Sequence, residues 1–223
     1  MANQYWEFKE FPGPDGGGNA VIFLNEPARQ GRGEATAALR SDGSVGLCYL
    51  VPGSLGGNPD PSWQYAEFAG PNGAKDAAIF LNEPPRQGRG EASATLRADG
   101  TAGLLYLEPG SLGTSTTHTW EYGEFVGPKQ AVDFLNEPAR QGRGEATVTP
   151  RKNGTVGLLY LTPGSLGDST HHTWYFKEFP APHGVRDALA FLNAHPRQGE
   201  GEVSGYARTD GSAGIFYLEP GSH

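Results

Sequence analysis

The same module is written four times in this chain of 223 residues, and that repetition limits the folds available to it. Four tryptophans recur at spacings of 57, 57 and 54 residues, and four turn glycines recur at spacings of 57, 54 and 57. The tryptophans are Trp6, Trp63, Trp120 and Trp174, and the glycines are Gly43, Gly100, Gly154 and Gly211. The 54-residue spacing in each series shows that the third copy is shorter than the others. Together the two series place this shortening between its first strand and its helix. One such module is too small to be stable alone, so neighbouring copies must share a core.

The third copy shows the order of elements most clearly. Trp120–Phe125 alternates like a strand, and Gln130–Asn136 suits a helix of about two turns. Pro138 ends that helix, because proline lacks a backbone donor and restricts the residue before it. Two further strands flank Asn153-Gly154, which predicts a two-residue hairpin turn with positive φ at the glycine. This pattern predicts the order β-α-β-β for each module.

The predicted fold class is α+β, with four tandem β-α-β-β modules that share antiparallel sheets and contain one short helix each. The modules occupy residues 1–57, 58–114, 115–168 and 169–223. Two arrangements stay open at this point. A closed ring of four modules would remove exposed sheet edges, whereas the shortened third copy favours two paired pseudo-dimers.

The polar loop after each helix is the least changed part of the module. Leu24–Thr36 and Leu135–Thr147 share the sequence LNEPARQGRGEAT, and surface loops ordinarily tolerate change. Arginine supplies forked donors, glutamine both donors and acceptors, glutamate acceptors, and glycine a close backbone approach. That inventory suits a polyol, so the sequence predicts one ligand site per module. The candidate residues are Arg29, Gln30, Gly31, Arg32 and Glu34; Arg86, Gln87, Gly88, Arg89 and Glu91; Arg140, Gln141, Gly142, Arg143 and Glu145; and Arg197, Gln198, Gly199 and Glu202.

Two alternatives apply to this loop. An arginine–glutamate staple could hold the loop to the sheet, with the glycines needed only for their backbone conformation. In the fourth copy Glu200 replaces the second arginine, which reverses a charge at the centre of the loop. If the loop binds a ligand, three similar sites and one altered site are expected.

The first strand of each module repeats a tryptophan, a second aromatic residue and a glutamate on one face, as in Trp6, Phe8 and Glu10. One interpretation is a core tryptophan with a glutamate at its rim. The other is an aromatic platform beside a carboxylate, which would hold a sugar ring. The tryptophans that would form such a platform are Trp6, Trp63, Trp120 and Trp174.

The second strand of each module places a glutamate, a hydroxyl residue and an arginine on one face, as in Glu34, Thr36 and Arg40. The pattern is typical of the solvated face of an antiparallel sheet. Glutamate–arginine pairs across the sheet would also explain it.

Charge and composition exclude several classes of function. The net charge is −8 with no basic block, so duplex nucleic acid is not an expected partner. Catalytic triads and zinc-protease motifs are missing from the sequence, and the paired carboxylates Glu10 and Glu34 would be an unusual glycosidase site in four copies. The chain is therefore not expected to be an enzyme, and no cofactor or metal is expected.

Location and oligomeric state are less constrained. No apolar stretch reaches the ~18 residues of a membrane helix, so no membrane insertion is expected. The single cysteine, Cys48, is predicted to be a small core residue. No signal peptide is visible, which indicates a cytoplasmic location and leaves secretion by another route open. The sequence does not specify an oligomeric state.

A run of Gly-Pro, a short helix and Gln-Gly before a strand resembles the cyanobacterial mannan-binding lectins of the Microcystis type. The residues are Ala69-Gly70-Pro71, the helix through Asn82, and Gln87-Gly88. The resemblance implies tandem modules of mixed strands and helix that bind mannan. That family has a tryptophan just after Gly-Pro and this chain does not, so no binding residue is carried over.

The expected function is that of a multivalent carbohydrate-binding protein whose partners are glycans or glycoproteins. Weak single sites become effective when several engage one glycan surface. Two alternatives stay open. The loop arginines could bind a small anionic ligand such as a nucleotide, or the repeats could be structural or bind other proteins.

Overall fold

A computed structural model of the chain describes residues 4–31, 33–40, 42–55, 60–84, 86–88, 90–97, 99–112, 117–142, 145–150, 155–166, 171–194, 203–208 and 210–220. The helices are α1 (Gly16–Leu24), α2 (Gly73–Leu81), α3 (Pro128–Leu135) and α4 (Gly184–Leu192). The strands are β1 (Tyr5–Phe11), β2 (Ala35–Leu39), β3 (Val45–Val51), β4 (Ser62–Phe68), β5 (Ala92–Leu96), β6 (Ala102–Glu108), β7 (Thr119–Val126), β8 (Ala146–Pro150), β9 (Thr155–Thr162), β10 (Thr173–Phe179), β11 (Val203–Ala207) and β12 (Ala213–Glu219). The α+β class and the order β-α-β-β are confirmed. None of these short helices is long and apolar enough to cross a membrane.

Each sheet has three antiparallel strands, and the third strand of a module lies between the first and the second. In the first module the order is β1-β3-β2. The prediction that modules share sheets is wrong, because every sheet of the described residues is built from one module. Side chains of neighbouring modules bond to backbone groups of the edge strands, as described below, and no strand of a neighbour pairs with them.

The third strand of each module is buried on both faces, which explains its continuous apolar sequence. In β6, Leu104 and Tyr106 pack in the core that contains their own helix α2. Leu105 and Leu107 point the other way and pack in the core around α1 of the preceding module. The sheets therefore stack face to face with a helix between them, and every hydrophobic core spans two modules.

The four modules close into a ring. Helix α1 packs against β4, α2 against β7 and α3 against β10, and α4 returns to β1. The second strands β2, β5, β8 and β11 contact one another in this order, and β11 also contacts β2. The two arrangements left open by the sequence are thus resolved in favour of the ring.

The second strands are linked by side-chain hydroxyls that accept hydrogen bonds from the backbone of the neighbouring module. The pairs are Ala37 N to Ser93 Oγ at 2.8 Å, Ala94 N to Thr147 Oγ1 at 2.8 Å, Val148 N to Ser204 Oγ at 2.8 Å and Gly205 N to Thr36 Oγ1 at 3.0 Å. These bonds satisfy strand-edge N–H groups that would otherwise be exposed or stranded. The prediction of a solvated face is therefore wrong, since Glu34 and Thr36 are only 2% and 4% exposed.

The turns between the second and third strands each contain a glycine with positive φ, as predicted: 81° at Gly43, 90° at Gly100 and 87° at Gly211. The loop is longer than the predicted two residues. Arg40 N donates to Ser44 O at 2.9 Å, so three residues lie between the closing pair. A Cβ at Gly43 would also lie 2.5 Å from Cα of Pro14, so space as well as backbone angle requires glycine. Gly154 lies outside the described residues.

The shortening of the third module occurs where the sequence placed it. In the first module β1 ends at Phe11 and α1 begins at Gly16. In the third, β7 ends at Val126 and α3 begins at Pro128, with Gly127 at φ 88° between them. The ring tolerates this change because the link does not take part in the contacts between modules described above.

Candidate functional site

The repeated polar loop lies at the joint between each module and the next. At the first joint, Asn25 follows α1 and pairs with the backbone of Trp63. Its Nδ2 donates to Trp63 O at 3.0 Å, and Trp63 N donates to its Oδ1 at 2.7 Å. The same two bonds join Asn82 to Trp120, Asn136 to Trp174 and Asn193 to Trp6. These asparagines were not among the predicted site residues, although Leu-Asn recurs in all four copies.

The four tryptophans are interior residues, with 2% exposure at Trp6 and Trp120 and 1% at Trp63 and Trp174. In three of them the indole N–H reaches back to the loop of the preceding module. Trp63 donates to Gly31 O at 3.2 Å, Trp120 to Gly88 O at 3.2 Å and Trp174 to Gly142 O at 3.1 Å. Of the two interpretations, the core tryptophan is correct. An exposed aromatic platform is not formed, because each indole fills the core shared with the preceding module.

The loop glutamine binds the segment that enters the next module. Gln30 is 3% exposed, and its Nε2 donates to Pro61 O at 2.7 Å. Gln87 donates in the same way to His118 O, and Gln141 donates to His172 O at 2.5 Å. These amides therefore hold consecutive modules together and do not face solvent.

The loop glutamate is buried beneath the loop. A Cβ on Gly31 would collide with Oε2 of Glu34 and lie 2.9 Å from the backbone N of Ser54. The corresponding groups in the second and third modules have the same arrangement: Gly88, Glu91 and Ser111, and Gly142, Glu145 and Ser165. The first glycine of the loop is thus required by the approach of the chain's own carboxylate, whereas the sequence suggested the approach of a ligand.

The first arginine of the loop is a staple, but its acidic partner differs from the one expected. Arg29 Nε donates to Phe23 O at 3.0 Å, and its guanidinium forms an ion pair with Glu26. Its Cζ lies 3.8 Å from the centroid of the Phe23 ring. Arg86 and Arg140 make the same three contacts in their own modules. These three arginines are held within separate modules, so they do not converge on one anionic ligand.

The remaining predicted loop residues lie outside the described part of the chain. They are Arg32, Arg89, Arg143, Arg197, Gln198, Gly199 and Glu202. Glu200 also lies there, so the expected alteration of the fourth site stays a prediction.

The surface end of the loop packs with α1 and β3 in a phenylalanine–arginine cluster, which in the first module comprises Phe23, Glu26, Arg29 and Tyr49. The Phe23 and Tyr49 rings meet edge to face, with centroids 5.0 Å apart and planes at 83°. Phe23 is half-buried, and the Glu26 side chain is 56% exposed. Equivalent clusters are formed by Phe80, Glu83, Arg86 and Tyr106, and by Phe134, Glu137, Arg140 and Tyr160. The fourth module retains Phe191 and Tyr217, but Ala194 stands in place of the glutamate.

In the first and third modules the tyrosine of the cluster donates a hydrogen bond to a glutamate of the first strand. Tyr160 Oη lies 2.8 Å from Glu121 Oε2, and Tyr49 Oη lies 2.5 Å from Glu7 Oε2. Burial and, after it, the bond to Glu121 raise the pKa of Tyr160 to about 12. The same two causes raise the pKa of Tyr49. Both hydroxyls therefore stay protonated and serve as donors at neutral pH.

A second cation covers the phenylalanine in two modules. Lys9 Nζ lies 4.1 Å from the Phe23 centroid, and Lys177 Nζ lies 4.2 Å from that of Phe191. Ala66 and Gly123 occupy the corresponding strand positions in the second and third modules. The clusters of those two modules are therefore without this lysine over the aromatic ring.

The arginine of the second strand pairs across the sheet with the glutamate of the first strand, and not with the glutamate of its own strand as the sequence suggested. Arg40 donates to both carboxylate oxygens of Glu10, at 2.6 and 2.9 Å, and Arg97 forms an ion pair with Glu67. The bond to Glu10 is the main reason that the pKa of Arg40 is raised. Glu10 is thus held by Arg40 while Glu34 lies in the joint, so the two carboxylates have separate structural partners.

Within the described ranges, no group of three or more histidine, cysteine, aspartate or glutamate side chains could hold a metal ion. Comparisons with protein-family models, with characterised proteins and with solved structures find no match to this chain. The resemblance to Microcystis-type lectins stays an expectation from the sequence.

Proposed function

We propose that this protein is a multivalent carbohydrate-binding protein whose sites are the phenylalanine–arginine clusters. The observation that carries the proposal is the repeated, half-exposed phenylalanine, which a guanidinium holds in place beside an exposed carboxylate. A sugar presents an apolar C–H face to such a ring and hydroxyls to the donors and acceptors around it. Glycans or glycoproteins would be the partners.

The proposal moves the ligand contacts from the interior of the loop to its outer side. Arg29, Arg86 and Arg140 remain ligand contacts, as the sequence predicts. The glutamates Glu26, Glu83 and Glu137 join them as acceptors. The buried tryptophans, glutamines and Glu34 equivalents support these clusters by joining the modules. Because the clusters repeat around a closed ring, several weak sites can engage one glycan surface.

Differences between modules predict unequal sites. The second and third clusters have no lysine over the phenylalanine and retain the glutamate, so they should bind most strongly. The fourth has Lys177 and lacks the glutamate, since Ala194 occupies that position. It should bind most weakly.

Titration calorimetry with a glycan chosen from a glycan array tests the proposal. The double variant Glu83→Ala, Glu137→Ala removes two exposed acceptors, so it should lower the number of measurable sites by two. Asp76→Ala is the matched control, because Asp76 is an exposed carboxylate on α2 outside the cluster. Binding that is unchanged in the double variant, or an array on which no glycan binds, would contradict the proposal.

A structural scaffold is the second candidate, and a specific observation favours it. Gln30, Glu34 and their described counterparts are buried at joints between modules, so the repeated loop has an architectural role without any ligand. A thermal-shift panel of glycans and nucleotides separates the candidates. A scaffold predicts that no member of the panel raises the melting temperature.

A further inference from the structure

An apolar groove lies where the ring closes, between α4 of the last module and β1 of the first. Phe8, Val185 and Leu189 form its floor, and Pro182, His183 and Arg186 line its mouth. The groove measures about 350 Å³. This lies at the lower end of the range for small-molecule sites, which is roughly 300–1,000 Å³.

The groove adjoins a smaller pocket against Cys48. Phe8, Val185 and Leu189 line both spaces, and Gly46 and Gly205 contribute to the inner wall. The space in this pocket is about 20 Å³, which is room for a methyl group but not for a ring. The inner pocket can therefore accept only the narrow end of a ligand that lies in the groove.

Small residues at the joint between the fourth and the first modules explain why side chains do not fill this pocket. Cys48 occupies the position of Leu105, Leu159 and Phe216, which are all 0% exposed in their own joints. Cys48 itself is half-buried and packs against the core of this joint, which agrees with the prediction of a small core residue. Gly205 stands where the other second strands have Ala37, Ala94 and Val148.

The mouth of the groove carries one cationic side chain, Arg186, which lies beside Asp187. The Arg186 side chain is 72% exposed, and its Nε and one terminal nitrogen both lie 3.4 Å from Oδ1 of the adjacent Asp187. These contacts are long, and the exposed guanidinium has further N–H donors for a second carboxylate. Glu10, on the same strand face as Phe8, is already bound at both oxygens by Arg40. His183 is the other titratable group among the residues that line the mouth.

We infer that this groove binds a medium-chain fatty carboxylate. Its alkyl chain lies along Phe8, Val185 and Leu189, its terminal methyl group enters the pocket at Cys48, and its carboxylate accepts from Arg186. An apolar groove of about 350 Å³ with one cation at its mouth matches a single-chain amphipathic anion. The site is independent of the carbohydrate sites, since none of these residues belongs to a phenylalanine–arginine cluster.

Calorimetric titration of the full chain with decanoate, and with decanol as the uncharged probe, tests the inference. The wild type should bind one decanoate per chain. Arg186→Gln should weaken decanoate binding about tenfold or more and leave decanol binding unchanged. Lys75→Gln is the matched control, because Lys75 occupies the same position in α2 as Arg186 in α4. The joint next to Lys75 is filled by Leu159, so this variant should change neither affinity.

Cys48→Leu introduces the residue found in the second and third modules and fills the inner pocket. It should weaken both probes while the melting temperature stays equal or rises. If this variant does not fold, the comparison of decanoate with decanol in Arg186→Gln still tests the inference. Absence of decanoate binding to the wild type, or equal decanoate affinity in the wild type and in Arg186→Gln, would overturn the inference.

Discussion

Replacement of Asn193 by alanine tests whether the ring is closed in solution. Asn193 follows α4, donates from Nδ2 to Trp6 O at 3.0 Å and accepts from Trp6 N at 2.7 Å. The other three joints also have a covalent linker between the modules. At this joint the two modules are held together only by non-covalent contacts.

The expected loss follows from the two hydrogen bonds. Each contributes about 0.5–1.5 kcal/mol net, and a stranded backbone group costs about 1–3 kcal/mol when water cannot reach it. The bonds to Trp6 are partly buried, so water compensates in part. The free energy of unfolding should therefore fall by about 2–3 kcal/mol. For a chain of this length that corresponds to a drop of about 5–10 °C in melting temperature.

Denaturant unfolding and hydrogen exchange together provide the assay. Asn82→Ala is the matched control, because Asn82 forms the same bonds to Trp120 at 2.9 and 2.6 Å within a linked joint. Both variants should lose similar global stability, but only Asn193→Ala should accelerate amide exchange along β1. Asn193→Asp, which keeps the acceptor, should fall between the wild type and alanine. If Asn193→Ala changes stability by less than about 0.5 kcal/mol while Asn82→Ala loses the expected amount, the closed ring is refuted.

Three further outcomes follow from the described contacts. Gly43→Val should destabilise the chain by at least about 1–3 kcal/mol, because φ is 81° and a Cβ would meet Pro14; an unchanged denaturant midpoint would refute the turn geometry. Arg86→Ala should cost about 1–2 kcal/mol in the same assay, through loss of its bond and ring contact with Phe80. Stability should fall as the pH rises from about 10 towards 12, because the unfolded chain ionises its tyrosines first. Tyr160, whose pKa is raised to about 12, contributes to this loss, so Tyr160→Phe should flatten the alkaline limb of stability against pH.

Features set by neighbouring residues could be predicted from the sequence. The order of elements follows from strand alternation and from the proline after the helix. The positive φ of Gly43 follows from the Asp-Gly pair, and the short link in the third module follows from the spacing of Trp120 and Gly154. The predicted length of the loop between the second and third strands was wrong, because the same Asp-Gly pair fits turns of two or of three residues.

Features set by distant partners could not be predicted. Gln30 and Pro61 are 31 residues apart, and Thr36 meets Gly205 across 169 residues. A glutamine or threonine in a repeated segment has the same appearance in sequence whether it faces water or a neighbouring backbone. Burial of these polar groups depends on which module lies opposite, and that depends on closure of the ring.

A repeated polar loop was the main reason to expect four binding sites, and the structure gives it another cause. A ring with four equivalent joints buries the same polar groups four times, and each group must find a hydrogen-bond partner. Architecture alone therefore requires asparagine, glutamine and glutamate to recur. Repetition at positions that the joints do not use carries more information about ligands, as at the exposed Glu83. Differences between copies carry still more information about ligands. Cys48 in place of Leu105 leaves an opening where the other joints are filled, and Ala66 in place of Lys9 leaves a ring without the lysine that lies over it in the first module.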